Sequence, residues 1–166
     1  MSTIRFHGEP ANTVGELPAV GSAAPAFALT AADLSDLTSE SLAGKRVVLN
    51  IFPSLDTSVC ATSVRRFNEL AAGLENTTVV CVSKDLPFAA GRFCTTEGIE
   101  NVVTGSAFRS HAMSRDYGLR MTDGPLKGLL ARAVVVIDED GTIIHTQLVP
   151  EVTDEPDYDA AVAALA

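Results

Sequence analysis

Asn50-Ile51-Phe52-Pro53-Ser54-Leu55-Asp56-Thr57-Ser58-Val59-Cys60-Ala61-Thr62-Ser63, running on from Val64 to Leu74, carries a strand, a loop and a helix in direct succession. The apolar run from Val47 to Phe52 ends at a proline. A short polar loop follows, and a cysteine stands where the next periodicity begins. Cys60, Val64, Phe67, Ala71 and Leu74 recur at the spacing of one helical face. Asp56, Thr57 and Ser58 are all capping residue types just ahead of it. This predicts Cys60 in the first turn of a helix, where unpaired N–H groups and the macrodipole favour an anion. A cysteine heading an apolar stripe also suits simple core packing, and the stripe alone favours that reading.

A chain of 166 residues is long enough for one domain with a sizeable core. Its 46% hydrophobic content excludes a disordered polymer. With 12 Lys and Arg against 21 Asp and Glu, the net charge of −9 argues against nucleic acid or an anionic membrane as partner. The opening Met1 to His7 lacks the apolar core of a signal peptide, and no apolar run is long enough to span a bilayer. The expected location is the cytoplasm. Cys60, Cys81 and Cys94 form no C-x-x-C pair and no zinc-type cluster, and His7, His111 and His145 are scattered. No metal or cofactor is expected.

Taken in order, Thr3 to Phe6 and Ala11 to Val14 alternate around His7-Gly8-Glu9-Pro10, which predicts an N-terminal hairpin within an extension over residues 1–20. Ala26 to Thr30 is a short strand candidate, and Ser39 to Leu42 a helical turn. From Arg46 the pattern is α/β. Val47 to Phe52, Thr78 to Ser83 and Val102 to Thr104 read as buried strands. The helices are the one at Cys60, one opened by Pro87, and one over Phe108 to Tyr117. Ala131 to Ile137 and Thr142 to Val149 then flank Asp138-Glu139-Asp140-Gly141 as a hairpin, and Pro156 to Leu165 is a last helix. A parallel βαβ half followed by a hairpin and a helix is the thioredoxin-like plan. The expected fold is therefore α/β, a mixed central sheet flanked by helices, in a single domain over residues 1–166.

Thiolate is the reactive form of cysteine, and a free cysteine is only a few per cent thiolate at neutral pH. A helix N-terminus contributes about 0.3–1 kcal/mol, at best about 2, which is too little alone. A cation or strong donor is still required. Thr57 is close enough in sequence to approach the sulfur, although its hydroxyl equally suits a helix cap. Arg132 stands alone within the apolar run Gly128 to Val134, where it must pair or snorkel to water. Of the remaining thiols, Cys81 lies within the buried strand Thr78 to Ser83. Cys94 lies near a polar helix end before Gly98 and is the more accessible.

Pro53, Thr57 and Cys60 match the pattern P-x-x-x-T-x-x-C, which resembles the active-site loop of the peroxiredoxins. The wider stretch from Asn50 to Ser63, with Asn12 to Gly15, Val82 to Phe88 and Ala131 to Ala133, is similar to the thiol peroxidase subfamily, the atypical two-cysteine peroxiredoxins. That resemblance implies Cys60 as the peroxidatic nucleophile, with Thr57, Arg132 and the Cys60 N–H orienting the peroxide and Pro53 shielding the site. It implies Cys94 as the resolving thiol, joined to Cys60 in an intrachain disulfide after local unwinding. It further implies hydrogen peroxide and organic hydroperoxides as substrates, a thioredoxin-type reductant and a homodimer. Two other readings use the same residues: a disulfide oxidoreductase on this fold, and a non-enzymatic peroxide-sensing relay. The missing C-x-x-C counts against the first, as does the missing proline in Leu129 to Ala133, and only turnover with a reductant separates the second.

Overall fold

The computed structural model describes residues 1–166. The chain opens with strands β1 (Thr3–Phe6) and β2 (Glu9–Asn12), which form a two-stranded antiparallel sheet of their own. Their turn is only His7-Gly8, both at positive φ, so the second strand starts at Glu9 and not, as the alternation suggested, at Ala11. Two left-handed residues give the primed turn that matches strand twist.

The central sheet has seven strands in the order β4-β3-β7-β6-β5-β8-β9. These are β3 (Ala28–Thr30), β4 (Asp36–Thr38), β5 (Arg46–Ile51), β6 (Thr77–Ser83), β7 (Val103–Ser106), β8 (Ala133–Ile137) and β9 (Ile143–Leu148). Strand β5 runs parallel to β6, and β6 parallel to β7, while β8 lies antiparallel to both β5 and β9. The sheet is mixed and helix-flanked, as the periodicity predicted. The strand Asp36–Thr38 carries no signal in the sequence. Three residues cannot display an alternation, and only pairing with β3 makes them a strand.

Four helices complete the fold: α1 (Ser58–Ala71), α2 (Pro87–Glu97), α3 (His111–Asp116) and α4 (Tyr158–Ala163). The last two are shorter at both ends than the periodicity suggested. Pro87 opens α2, and Gly98 closes it in the left-handed conformation.

Side chains on successive residues of the central strands point to opposite faces, and both faces are covered. Val47, Leu49, Ile51, Val80, Val82, Ala133, Val135 and Ile137 belong to one apolar cluster. Val48, Val79, Cys81, Val134 and Val136 belong to the other, which also holds Cys60, Val64 and Phe67 of α1. Burying Val64 and Phe67 contributes about 1.5–3 kcal/mol each, which holds α1 against the sheet. Fully buried Asn50 also belongs to this face. Its amide donates to Ser63 Oγ of α1 at 3.3 Å, while Ser63 donates to the Cys60 carbonyl at 2.8 Å.

Register brings the site together. Ile51, the last residue of β5, is paired with Ala133, the first of β8. The chain leaving β5 toward α1 therefore passes beside the chain entering β8, and Arg132 arrives next to the loop that carries Cys60.

Candidate active site

Cys60 is the third residue of α1 and has no exposed surface. Thr57 occupies the cap position in extended conformation, but its side chain does not cap the helix. The hydroxyl donates instead to the Ser54 carbonyl at 3.0 Å. The Ser58, Val59 and Cys60 N–H groups have no acceptor, and no acidic residue lies in the first turn. The helix N-terminus at Cys60 is electrostatically open, which favours negative charge there.

Arg132 is the largest fully buried side chain. Its Nη2 lies 3.1 Å from Cys60 Sγ, across 72 residues of sequence, and its Nε donates to the Val152 carbonyl at 2.9 Å. No carboxylate pairs with it. A buried guanidinium without a counter-charge is strongly unfavourable. The Cys60 sulfur is the acceptor within reach. The remaining nitrogen, Nη1, is buried and makes no hydrogen bond. Arg132 also lines a cleft of about 200 Å³ with Pro53, Thr57, Val59, Phe6 and His7. One guanidinium thus touches the sulfur and has a spare donor beside the cleft. Pro53 is buried and removes an N–H from that wall.

Cys94, in the last turn of α2, lies elsewhere. It is half-buried, and burial raises its pKa. It lines a separate cavity with Ala31, Ala32, Ile99 and Val102, which shares no residue with the Cys60 cleft. Its carbonyl accepts the N–H groups of Gly98 and, at 2.9 Å, Ile99, so the helix end closes on Cys94 itself. All three cysteines are free. The structure thus gathers Thr57, Arg132 and Pro53 at one cleft, with Cys60 sealed behind Arg132, and leaves Cys94 outside it. Cys81 is fully buried, and burial pushes its pKa up to about 12 against a weaker opposing effect of the Asn50 amide.

A further carboxylate supports the cleft that sequence reading passed over. Glu151 accepts hydrogen bonds from the Thr153, Gly8 and His7 N–H groups and from the Thr153 hydroxyl. It clasps the β1–β2 hairpin, whose Phe6 and His7 form one wall of the cleft, to the segment carrying Val152. The Thr153 and Gly8 amides together hold its pKa well below the ordinary 4.5, at about 2. A depressed carboxylate pKa contributes stability that is complete above the ordinary value and lost as pH falls through the folded one. The protection factor of the Gly8 amide, its exchange rate referred to the unstructured rate at each pH, is therefore expected to hold at pH 5 and to fall as pH drops from 4.5 toward 2, while amides of β5 stay protected. Glu151→Gln should remove that pH dependence.

The mixed sheet thus brings a buried cysteine at an open helix N-terminus against a buried arginine. The Redoxin family matches residues 19–162. A thiol peroxidase of Mycobacterium bovis is 59% identical over 165 residues, covering 99% of both chains. The thiol peroxidase of Corynebacterium glutamicum is 58% identical over the same shares. A peroxiredoxin-like protein from Aquifex aeolicus superposes with a TM-score of 0.94 at 41% identity, covering 99% of this chain and 96% of its own. The chain belongs to the redoxin family and, within it, to the thiol peroxidases: it is a thiol-dependent peroxidase.

Proposed function

We propose that Cys60 is the peroxidatic nucleophile and that the 166 residues act as one domain reducing hydrogen peroxide and organic hydroperoxides. The observation that carries this is the Arg132 guanidinium, with one nitrogen 3.1 Å from Cys60 Sγ and another buried without a partner. The thiolate attacks the terminal oxygen of a hydroperoxide. The S–O bond forms as the O–O bond breaks, two electrons pass from sulfur to peroxide, and an alkoxide or hydroxide leaves and takes a proton. Arg132 Nη1 is the donor for the oxygen that becomes negative, and fixed donors of this kind lower the barrier. Because the Thr57 proton is committed to the Ser54 carbonyl, its oxygen offers lone pairs to the peroxide O–H.

The resulting sulfenic acid condenses with the Cys94 thiol, releasing water and leaving a Cys60–Cys94 disulfide that a thioredoxin-type dithiol reduces. Cys60 is sealed against Arg132 while Cys94 lines a cavity on another part of the surface, and a disulfide needs Cα atoms within about 7 Å, so the first turn of α1 and the last of α2 must unwind. A homodimer fits exposed Leu86, Phe88 and Phe108, which follow the neighbouring strands β6 and β7. No helix is long and apolar enough to cross a membrane. Three unpaired cysteines suit the reducing cytoplasm.

The test is Cys94→Ser. One equivalent of peroxide should lower the mass of the wild-type chain by about 2 Da, link the Cys60 and Cys94 peptides, and leave a monomer on a non-reducing gel. The variant should keep its first turnover, lose steady turnover with thioredoxin, and accumulate sulfinic acid at Cys60. A Cys60–Cys81 link or a covalent dimer would overturn the assignment of Cys94.

A further inference from the structure

We propose that Asp85 is a positioning residue for peroxide attack, aiming the Thr57 hydroxyl through Ser54. The inference rests on the reading of Thr57 given above. Asp85 lies in Ser83-Lys84-Asp85-Leu86-Pro87, the connection between β6 and α2. It is half-buried and forms no ion pair. Its charge is met by donors alone. Oδ1 accepts the Ser54 hydroxyl at 2.8 Å. Oδ2 accepts the Leu55 N–H and the Ser83 hydroxyl, each at 2.7 Å. Two of these three donors belong to the loop between β5 and Cys60.

The chain of contacts continues without a gap. Ser54 Oγ, held by Asp85, accepts the Asp56 N–H at 3.1 Å. The Ser54 carbonyl accepts both the N–H and the hydroxyl of Thr57, at 3.2 and 3.0 Å. Which way the Thr57 oxygen presents its lone pairs is therefore set by where Ser54 sits, and Asp85 sets that. The carboxylate has a firm footing of its own. Ser83 ends β6, and Ser106, which ends β7, donates its hydroxyl to the Asp85 carbonyl. The loop that carries the exposed Thr57 hydroxyl is thus referenced to two strand ends. Hydrogen bonds to an ionised acceptor are the strong and directional ones. A carboxamide keeps one acceptor oxygen for the Leu55 N–H and turns its NH₂ toward Ser54 Oγ, which reverses the direction of that bond and frees the Ser54 hydroxyl to rotate.

The experiment is a double-mutant cycle on the full-length chain with two readouts at Cys60. The first is the rate of its oxidation by hydrogen peroxide. The second is its alkylation by iodoacetamide, which has no peroxide O–H to orient and reports only on the thiolate and its access. Asp85→Asn should slow oxidation by about 10- to 100-fold, the scale of a small misplacement of a reacting group, and leave alkylation within about twofold. Thr57→Val should slow oxidation comparably. The double variant should be no slower than Thr57→Val within about twofold, because the two residues act as one unit. Ser54→Ala, which removes one arm of the clamp, should fall between wild type and Asp85→Asn. Effects that multiply in the double variant, or alkylation that falls in step with oxidation, would overturn the proposal in favour of a purely structural role. Wild-type oxidation in Asp85→Asn beside slow oxidation in Thr57→Val would overturn it alone. Wild-type oxidation in Thr57→Val would overturn the reading of Thr57 and the proposal with it.

Discussion

Cys60→Ser is expected to abolish peroxide consumption, a loss of about 10⁴-fold or more, the scale on which an enzyme loses its nucleophile. Serine fits the site, since Sγ already lies in a fully buried position beside Arg132 and a hydroxyl can accept from the same nitrogen. It cannot ionise at neutral pH or be oxidised to a sulfenic acid. The fold should survive, and circular dichroism with a thermal melt will show it. Cys81→Ser is the matched control. Its sulfur accepts only the Asn50 amide, at 3.7 Å, is otherwise packed in the apolar cluster on the α1 face of the sheet, and does not line the cleft. Activity should stay within about threefold, and stability should fall by about 1–2 kcal/mol for placing a hydroxyl among apolar neighbours. An active Cys60→Ser, or a folded but dead Cys81→Ser, would reverse the assignment.

Arg132→Met should slow Cys60 oxidation by about 10²- to 10³-fold, the cost of removing a fixed donor from a developing charge. It should also slow alkylation by iodoacetamide, because the cation beside the sulfur is gone. That pairing separates it from Asp85→Asn. Stability should hardly move. The substitution leaves the Val152 carbonyl without its 2.9 Å donor, which costs about 1–3 kcal/mol. It also removes a buried guanidinium whose Nη1 has no partner, which relieves the desolvation cost of that charge. The midpoint of thermal unfolding should stay within about 5 °C of wild type. A large drop in stability with unchanged alkylation would make Arg132 a structural residue.

Much of this arrangement was legible before any coordinates. Cys60 could be placed at a helix start because Val64, Phe67 and their successors repeat along one face. Arg132 stood out because a lone cation in an apolar run demands a partner, although no spacing rule could show that the partner lies 72 residues away. That required the pairing of Ile51 with Ala133. Thr57 was correctly placed at the helix entrance, yet its capping bond does not form, since the Ser54 carbonyl offers a competing acceptor within the same loop. Asp85 and Glu151 were invisible for a shared reason. A single acidic residue in a polar loop reads as solvated surface. Each instead gathers donors from segments far apart in sequence, one from Ser54 and Leu55, the other from His7 and Gly8. Such contacts exist only after the sheet has brought the loops together.

The three thiols also lie at three depths, which makes the chain its own gauge of motion. Cys94 is half-buried at a helix end that fraying can open. Cys60 is sealed, yet in a first turn whose N–H groups carry no bonds, so partial opening frees it. Cys81 lies between β5 and β7, where burial holds its pKa near 12, so in the folded chain roughly one molecule in ten thousand carries its thiolate at pH 8. A reagent reaches it only when the middle of the sheet comes apart. Labelling at Cys81 therefore keeps time with whole-molecule opening, and labelling at the other two with the small excursions of the helix ends. One sample, followed by mass, separates the durability of the fold from the mobility that catalysis draws on.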